Sequence, residues 1–239
     1  MGSDAERTLA VVLAAGSGKR MGSKTKKQYM SIAGRPVIYY SLKTFQDSFI
    51  DEIVLVVSPG DTRFCQEEIV EKYGFYKVRH IVEGGKERYH SVAAGLNSVS
   101  DFDYVFIHDG ARPMVTAEIL DRSLVCVRRY GACVAGVRVK DTIKIADGEG
   151  KISATPNRNF MWAVQTPQVF AYPLIKEAYT LLLSREEEIL ASGVAVTDDA
   201  MVVETLTGRP VKLVEGSYKN IKITTPEDIQ IAEIFLKNA

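Results

Sequence analysis

The amino-acid sequence predicts an α/β fold with a mostly parallel, twisted β-sheet, helices on both faces of the sheet, and an inserted β-hairpin arm. Short continuous apolar runs, such as residues 53–58 (IVLVVS), alternate with helix-like segments between residues 9 and 137. Because strands that are apolar on both sides must be covered on both faces, this pattern is typical of a parallel sheet. After Val139, two short alternating runs flank Asp147-Gly148-Glu149-Gly150, which indicates a hairpin. Together these observations predict a Rossmann-like sheet with one added ribbon.

The predicted elements follow one another without a repeat, a low-complexity tract or a linker, so we expect one domain over residues 1–239. The predicted strands cover residues 9–15, 53–58, 78–82, 104–108, 132–137, 211–215 and 219–223. The predicted helices cover residues 36–46, 61–73, 88–98, 116–130, 173–192, 198–206 and the segment that begins at 226. The hairpin arm covers about residues 139–160. Since a two-stranded ribbon is not stable alone in water, it should pack on the body or on a second subunit.

The composition is that of an ordinary globular protein, with 30 basic residues balancing 30 acidic ones. This balance argues against broad affinity for nucleic acid or membranes. Three cysteines without a Cys-x-x-Cys pair indicate reduced thiols and no zinc site. The first eight residues lack the apolar core of a signal peptide, and no apolar run reaches the length of a membrane span. We therefore expect a soluble, cytoplasmic protein.

A glycine-rich, basic loop follows the first predicted strand. Gly16-Ser17-Gly18 leads into a segment that contains five lysines and arginines and no acid (residues 19–27). Glycines let backbone N–H groups approach a ligand closely, and clustered cations favour a polyanion. Met21 stands where a Walker A loop requires glycine and where the dinucleotide fingerprint requires its third glycine. The loop is thus predicted to bind phosphate, although it matches neither motif, and a solvated basic loop is the alternative.

Two further strands also end in polar, glycine-rich segments, Glu83-Gly84-Gly85 and residues 108–113 (HDGARP). In an open parallel sheet, ligands bind beyond the carboxyl ends of the strands, so these segments should lie together. Asp109 can hold Mg²⁺, which prefers oxygen ligands and shares them with substrate phosphates. Arg112 could pair with that carboxylate or bind phosphate bidentately. We interpret His108 as a structural histidine, and a simple turn cap is the alternative for Asp109.

Further polar segments lie where core packing does not require them. Each of them alone is typical of a helix cap or a solvated face, but together they could bind a second, phosphorylated substrate. They are Asp141-Thr142, Arg158, Gln165-Thr166-Pro167-Gln168, Thr197-Asp198-Asp199 and residues 219–224.

With these segments assembled, the chain resembles the 2-C-methyl-D-erythritol 4-phosphate cytidylyltransferases, GT-A-like nucleotidyltransferases of the non-mevalonate isoprenoid pathway. The resemblance runs in order from about residue 9 to 237 and depends on eight motifs. They are Leu13-Ala14-Ala15-Gly16-x-Gly18-x-Arg20-Met21, Lys27-Gln28-Tyr29, Gly84-Gly85-x-x-Arg88-x-x-Ser91-Val92, His108-Asp109-Gly110-Ala111-Arg112-Pro113, Asp141-Thr142, Gln165-Thr166-Pro167-Gln168, Thr197-Asp198 and Glu215-Gly216-x-x-x-Asn220-Ile221-Lys222.

The resemblance implies that CTP and methylerythritol 4-phosphate give CDP-methylerythritol and pyrophosphate, with Mg²⁺ bound by Asp109. The implied nucleotide-binding residues are Ala14, Ala15, Gly16, Gly18, Gly84, Gly85, Ser91 and Asp109. The implied catalytic residues are Arg20, Lys27 and Lys222. The implied residues for the sugar phosphate are Arg112, Thr142, Arg158, Thr166 and Thr197. In the family the arm swaps between two subunits, so the resemblance also implies a homodimer in which Thr142 and Arg158 serve the partner's site.

The chemistry of such a reaction agrees with these residue types. A phosphate oxygen attacks the α-phosphorus of CTP in line and pyrophosphate leaves, so cations must stabilise the gathering negative charge. The nucleophile is already an anion, and no general base is needed. Three alternatives stay open. The first is a cytidylyltransferase for another polyol phosphate, such as ribitol 5-phosphate. The second is a non-catalytic nucleotide-binding regulator. The third, a glycosyltransferase, is disfavoured because Asp101-Phe102-Asp103 precedes the fourth strand instead of following it.

Overall fold

A seven-stranded sheet forms the centre of the molecule in the computed structural model, which describes residues 6–16 and 25–237. The strands are β1 Thr8–Ala14, β2 Ser31–Ile32, β3 Arg35–Pro36, β4 Glu52–Val57, β5 Val78–Glu83, β6 Tyr104–Asp109, β7 Ala132–Arg138, β8 Ile145–Ala146, β9 Ile152–Ala154, β10 Trp162–Ala171 and β11 Lys212–Glu215. The helices are α1 Val37–Asp47, α2 Thr62–Cys65, α3 Arg88–Asn97, α4 Ala117–Tyr130, α5 Tyr172–Ser184, α6 Glu186–Ala191, α7 Asp199–Thr207 and α8 Pro226–Lys237.

The large sheet has the strand order β11-β7-β10-β6-β1-β4-β5. Strand β1 pairs in parallel with both β4 and β6. Strand β4 also pairs in parallel with β5, and β7 pairs in parallel with β11. Strand β10 lies antiparallel between β6 and β7, and all other pairings in this sheet are parallel. The prediction of a mostly parallel α/β sheet is therefore confirmed, and β10 is an element that the sequence analysis missed.

Helices cover both faces of the sheet because successive side chains of each strand point to opposite faces. From β1, Ala10 and Val12 pack into a core with residues of α1, α2 and α4, such as Phe45. Leu9 and Val11 pack on the other face with residues of α3, α5 and α7. Each of these four β1 side chains is fully buried, as the continuous apolar run predicts.

The arm has the predicted hairpin form. Strands β8 and β9 pair antiparallel in a two-stranded sheet of their own. Ile145 and Ile152 are 51% and 63% exposed, and Phe160 after the hairpin is 80% exposed. Among the described residues, none of this chain buries these apolar side chains of the arm. Such exposure is unusual because a two-stranded sheet needs packing to be stable.

Three predicted elements differ from the structure. Residues 219–223 are not a strand, because Ile223 N–H donates to Ala111 C=O at 2.8 Å and this segment thereby bonds to the turn after β6. The predicted helix at 173–192 is divided into α5 and α6 at Arg185. The predicted helix at 61–73 begins as α2 and continues with π-helical turns over Gln66–Glu71. Within the described residues, no helix is both long and apolar enough to cross a membrane.

Candidate active site

A cavity of about 350 Å³ opens at the carboxyl ends of β1 and β6, beside the first turn of α3. This is the edge of the sheet at which the sequence predicts a ligand. Its described lining residues are Leu13, Ala14, Ala15, Gly16, Lys27, Gln28, Gly85, Lys86, Glu87, Arg88, Ser91, Asp109, Ala111 and Lys222.

Asp109, the last residue of β6, is the carboxylate at the centre of the cavity's charged groups. Its Oδ2 lies 2.6 Å from Lys222 Nζ, and its Oδ1 lies 3.3 Å from Arg88 Nε. Burial by itself raises the pKa of this carboxyl, but the charges of Arg88 and Lys222 outweigh burial and hold its pKa well below the usual range. Asp109 is therefore an ionised carboxylate at neutral pH.

Arg88 links Asp109 to Asp199, a carboxylate that the sequence analysis names only as part of a polar segment and assigns no role of its own. Its Nη1 and Nη2 donate to Asp199 Oδ1 and Oδ2 at 2.7 and 2.8 Å, a bidentate ion pair. Asp199 has no exposed surface, and the Tyr179 hydroxyl donates to it at 2.5 Å. Burial by itself lowers the pKa of the Arg88 guanidinium, but the negative charges of Asp199 and Asp109 outweigh burial and raise this pKa well above its ordinary value. Arg88 is thus a fixed cation at the wall of the cavity.

Local helix signals fix where these two partners lie. Helix α3 begins at Arg88 because Glu87 and His90 form a capping box, in which Glu87 N–H donates to His90 Nδ1 at 3.2 Å. Helix α7 begins at Asp199 because the side chain of Asp198 accepts a hydrogen bond from Met201 N–H at 3.0 Å. The sequence suggests Thr197 as a helix cap here, but in the structure Asp198 is the cap, and the next carboxylate, Asp199, pairs with Arg88.

Lys27 reaches the cavity from a single 3₁₀ turn, Lys27–Tyr29. The turn is attached to the end of β1 by the buried amide of Gln28, which donates to Ala14 C=O at 2.5 Å and to Gly16 C=O at 3.2 Å. Lys26, the residue before the turn, forms an ion pair with Asp61, in which Nζ lies 2.6 Å from Oδ2. These contacts place Lys27 among the residues that line the cavity, which also include Asp109 and Lys222. Gly18 and Arg20 lie outside the described residues.

The glycines after β5 allow a close approach that no other residue permits. A Cβ built on Gly84 would lie 2.6 Å from Ala15 Cβ and 2.6 Å from Ser91 Oγ. A Cβ on Gly85 would lie 2.3 Å from His90 Cβ. Both separations are shorter than van der Waals contact allows, so this segment can lie against α3 and β1 only with glycine. Ala14, Ala15, Gly85 and Ser91 line the cavity, and Gly84 packs against Ala15 and Ser91.

The residues predicted for the second substrate are more dispersed. Arg112 lies behind Asp109, where its Nη1 donates to Asn220 C=O at 2.8 Å and its buried Nε has no partner among the described residues. Burial lowers the pKa of the Arg112 guanidinium below its ordinary value, although the negative charge of Asp109 acts in the opposite direction. Thr166, on β10, is buried and contacts the end of β6 at Asp109. The other three predicted residues are exposed and are not among the described lining residues: Thr142, Arg158 and Thr197.

The arrangement suits a polyanionic ligand accompanied by a divalent cation. Within the described residues, no group of three or more His, Cys, Asp or Glu side chains could hold a metal ion by themselves. A single ionised carboxylate is nevertheless the donor set that Mg²⁺ uses when substrate phosphates supply other ligands. Lys27, Lys222 and Arg88 place positive charge beside it. The donor chemistry therefore fits Mg²⁺ bound together with a nucleoside triphosphate.

Comparison with known proteins places this geometry in a family. The family model described as 2-C-methyl-D-erythritol 4-phosphate cytidylyltransferase matches residues 8–238. A protein of that name from Lachnospira eligens is 51% identical over 229 residues, covering 95% of this chain and 98% of its own. Another from Lachnoclostridium phytofermentans is 48% identical over 232 residues, covering 97% of both chains.

The fold agrees with a solved structure. The crystal structure described as 4-diphosphocytidyl-2C-methyl-D-erythritol synthase from Anaerococcus prevotii superposes with a TM-score of 0.82 at 36% sequence identity. The alignment covers 97% of this chain and 96% of that one. The similarity thus extends over the whole sheet and its edge, and not over a shared motif alone.

Proposed function

Because this chain belongs to the 2-C-methyl-D-erythritol 4-phosphate cytidylyltransferase family, we propose that its cavity transfers a cytidylyl group from CTP to methylerythritol 4-phosphate. The products are CDP-methylerythritol and pyrophosphate. The observation that carries the proposal is that Lys27, Asp109 and Lys222 converge in one cavity of a chain that matches the family over its whole length. The cytoplasmic location expected from the sequence stays a prediction.

The nucleotide occupies the side of the cavity formed by the end of β1 and the start of α3. Backbone groups of Ala14, Ala15 and Gly16 face the triphosphate, and the segment at Gly84, Gly85 and Ser91 recognises the cytosine ring. Support comes from Gly85 and Ser91, which line the cavity, and from Gly84, whose missing side chain lets this segment pack against Ala15 and Ser91. The contributions of Gly18 and Arg20 stay predictions.

The transfer itself needs charge stabilisation more than proton transfer. A phosphate oxygen of methylerythritol 4-phosphate attacks the α-phosphorus of CTP, the bond to the β-phosphate oxygen breaks, and pyrophosphate leaves with the electron pair. Negative charge accumulates between two anionic substrates, and Lys27 and Lys222 stabilise it from the cavity wall. The attacking oxygen carries its own charge, so no residue acts as a general base.

Asp109 would hold Mg²⁺ together with the nucleotide phosphates. When bound there, the ion withdraws negative charge from the triphosphate. Asp109 is suited to this role because Arg88 and Lys222 keep it ionised. Its contact with Lys222 at 2.6 Å also places the catalytic lysine beside the phosphates that the carboxylate helps to bind.

Methylerythritol 4-phosphate binds on the Arg112 side. The unpartnered Nε of Arg112 supports this position, because a buried guanidinium donor without a partner favours an anionic ligand. We propose that Thr142 and Arg158 act in the cavity of a second subunit, as the resemblance implies, and that the arm of residues 139–160 forms the homodimer. The exposed Ile145, Ile152 and Phe160 provide the apolar surface for that contact. Thr197 is proposed on the same side, next to α7.

Pyrophosphate release tests the proposed function. We expect release from CTP and Mg²⁺ with methylerythritol 4-phosphate and none with ribitol 5-phosphate offered in parallel. Release with ribitol 5-phosphate alone would retain the chemistry and assign the protein to the other class of cytidylyltransferase. Absence of release with both acceptors would favour the non-catalytic alternative. Activity per mole of chain should also fall on dilution, because separated subunits lose the partner's Thr142 and Arg158.

A further inference from the structure

The hydroxyl of Thr166 lies at the junction of three segments of the site, although the side chain is only 4% exposed. Its Oγ1 accepts a hydrogen bond from Asp109 N–H at 3.0 Å. The same oxygen lies 3.1 Å from Nδ1 of His108, a ring with no exposed surface. One hydroxyl on β10 is therefore in contact with both residues at the end of β6.

The direction of these hydrogen bonds follows from the partners of the ring. His108 Nε2 lies 3.1 Å from Arg112 C=O, which can only accept, so Nε2 carries the hydrogen. In a neutral imidazole Nδ1 is then an acceptor, and the Thr166 hydroxyl must donate to it. The single hydroxyl hydrogen is thus engaged by His108, and an oxygen lone pair is engaged by Asp109 N–H. The Thr166 hydroxyl therefore has no second hydrogen to donate to a substrate phosphate.

The backbone of Thr166 makes a second connection. Its carbonyl accepts a hydrogen bond at 2.9 Å from Nδ2 of Asn220, which is fully buried. The carbonyl of Asn220 in turn accepts a hydrogen bond from Arg112 Nη1 at 2.8 Å. Lys222 follows two residues later in the chain. Thr166 therefore contacts the segment that carries Asp109 with its side chain and the segment that carries Lys222 with its backbone.

We propose that Thr166 is a positioning residue that sets the separation between Asp109 and Lys222, with His108 orienting its hydroxyl. The inference depends on the proposed function, since it assigns Thr166 a task within that reaction in place of the direct contact with the sugar phosphate that the resemblance implies. The observed separation is 2.6 Å between Lys222 Nζ and Asp109 Oδ2. A displacement of about 1 Å between groups that act together can lower a rate by about 10²-fold.

Steady-state kinetics on hydroxyl variants test the proposal, with CTP and methylerythritol 4-phosphate varied separately. We expect Thr166→Val to lower kcat by at least about 10-fold while both KM values stay within about 3-fold, because the catalytic groups move but the ligand contacts remain. Thr166→Ser retains the hydroxyl and should keep kcat within about 3-fold of the wild type. Thr207→Val is the matched control, since the Thr207 hydroxyl bonds to Val203 C=O at the far end of α7 and touches no residue of the site.

A double-mutant cycle with His108→Phe separates positioning from a general loss of structure. Phe retains the ring that packs against Phe45 but removes both nitrogens. Both single variants break the same link, so the double variant should be no slower than the slower single variant. Thermal unfolding of each variant sets the assay temperature. If Thr166→Val does not fold, Thr166→Ala provides the comparison with Thr166→Ser.

Three results would overturn the proposal. Thr166→Val that raises only the KM for the acceptor, with kcat unchanged, would indicate a direct contact with the sugar phosphate. Equal losses in Thr166→Val and Thr166→Ser would show that the hydroxyl is not the group that matters. Additive losses in the double variant would show that His108 and Thr166 act separately. An inactive wild type, by contrast, would refute the proposed function itself.

Discussion

Replacing Lys27 by alanine is expected to lower kcat by about 10²- to 10³-fold, the usual effect of removing one group that stabilises transition-state charge. The dissociation constant for CTP should change by less than about 5-fold, since one exposed ion contact contributes no more than about 1 kcal/mol to ground-state binding. Lys27 lines the same cavity as Asp109 and Lys222. In the proposed reaction its charge acts on the phosphates bound there.

Single-turnover rates and equilibrium binding of CTP measure the two quantities separately. Lys43→Ala is the matched control, because Lys43 forms a surface pair with Asp47 on α1 and should leave both quantities unchanged. Equal losses in rate and in CTP affinity for Lys27→Ala would contradict its assignment to the transition state, because an interaction made equally in both states lowers affinity without lowering kcat.

Replacing Asp199 by asparagine is expected to lower the free energy of unfolding by about 3 kcal/mol, near the lower end of the range for breaking a buried ion pair. Asparagine has the same shape but no charge, so the guanidinium of Arg88 would keep its desolvation penalty and lose its bidentate partner. The lower end of the range applies because the Arg88 side chain is 30% exposed and also contacts Asp109.

Urea denaturation of the two proteins gives this difference directly. Glu67→Gln provides the comparison, since it removes the carboxylate of an exposed pair with Arg63 and should cost about 0.5 kcal/mol or less. A loss for Asp199→Asn no larger than that of Glu67→Gln would contradict the view that Arg88 depends on Asp199 for its charge compensation.

The parts of the fold that could be predicted from the sequence have local signals. The apolar run of β1 and the polar residue at the end of β6 place Ala14 and Asp109 at one edge of the sheet, because parallel strands end at the same edge. The clearances at Gly84 and Gly85 likewise explain two glycines that the sequence marks as a loop. The strand ends and the glycine loop follow from residue type and periodicity alone, whereas the clearances become visible only in the structure.

Strand β10 could not be predicted in this way. Its centre contains Gln165, Thr166, Pro167 and Gln168, and the register with β7 shifts there between Val164 and Gln168. A polar run with proline is typical of a loop. Here the polar side chains are buried because they bond to other segments of the site, Gln165 to Ser217 and Gln168 to Asp198. The strand is stabilised by tertiary contacts that no local pattern reveals.

The pair of Arg88 and Asp199 was missed for a related reason. The two residues are 111 positions apart, and each is adjacent to a residue with a clear helix-capping role. Residues 219–223 were predicted as a strand from their alternating pattern, but the segment bonds to the turn at Ala111 instead of to β11. Contacts between distant segments decided both cases, and a single sequence contains no direct record of them.

The stereochemistry at the α-phosphorus is the most direct test of the central claim, that Lys27 and Lys222 stabilise charge in a direct in-line transfer. CTP carrying one sulfur at the α-phosphorus in a single configuration is converted with methylerythritol 4-phosphate, and the configuration of the product is determined. One displacement inverts the configuration, and inversion is the result that this account predicts. Retention would require two displacements through a covalent cytidylyl–enzyme and would contradict a direct transfer in which the lysines only stabilise charge.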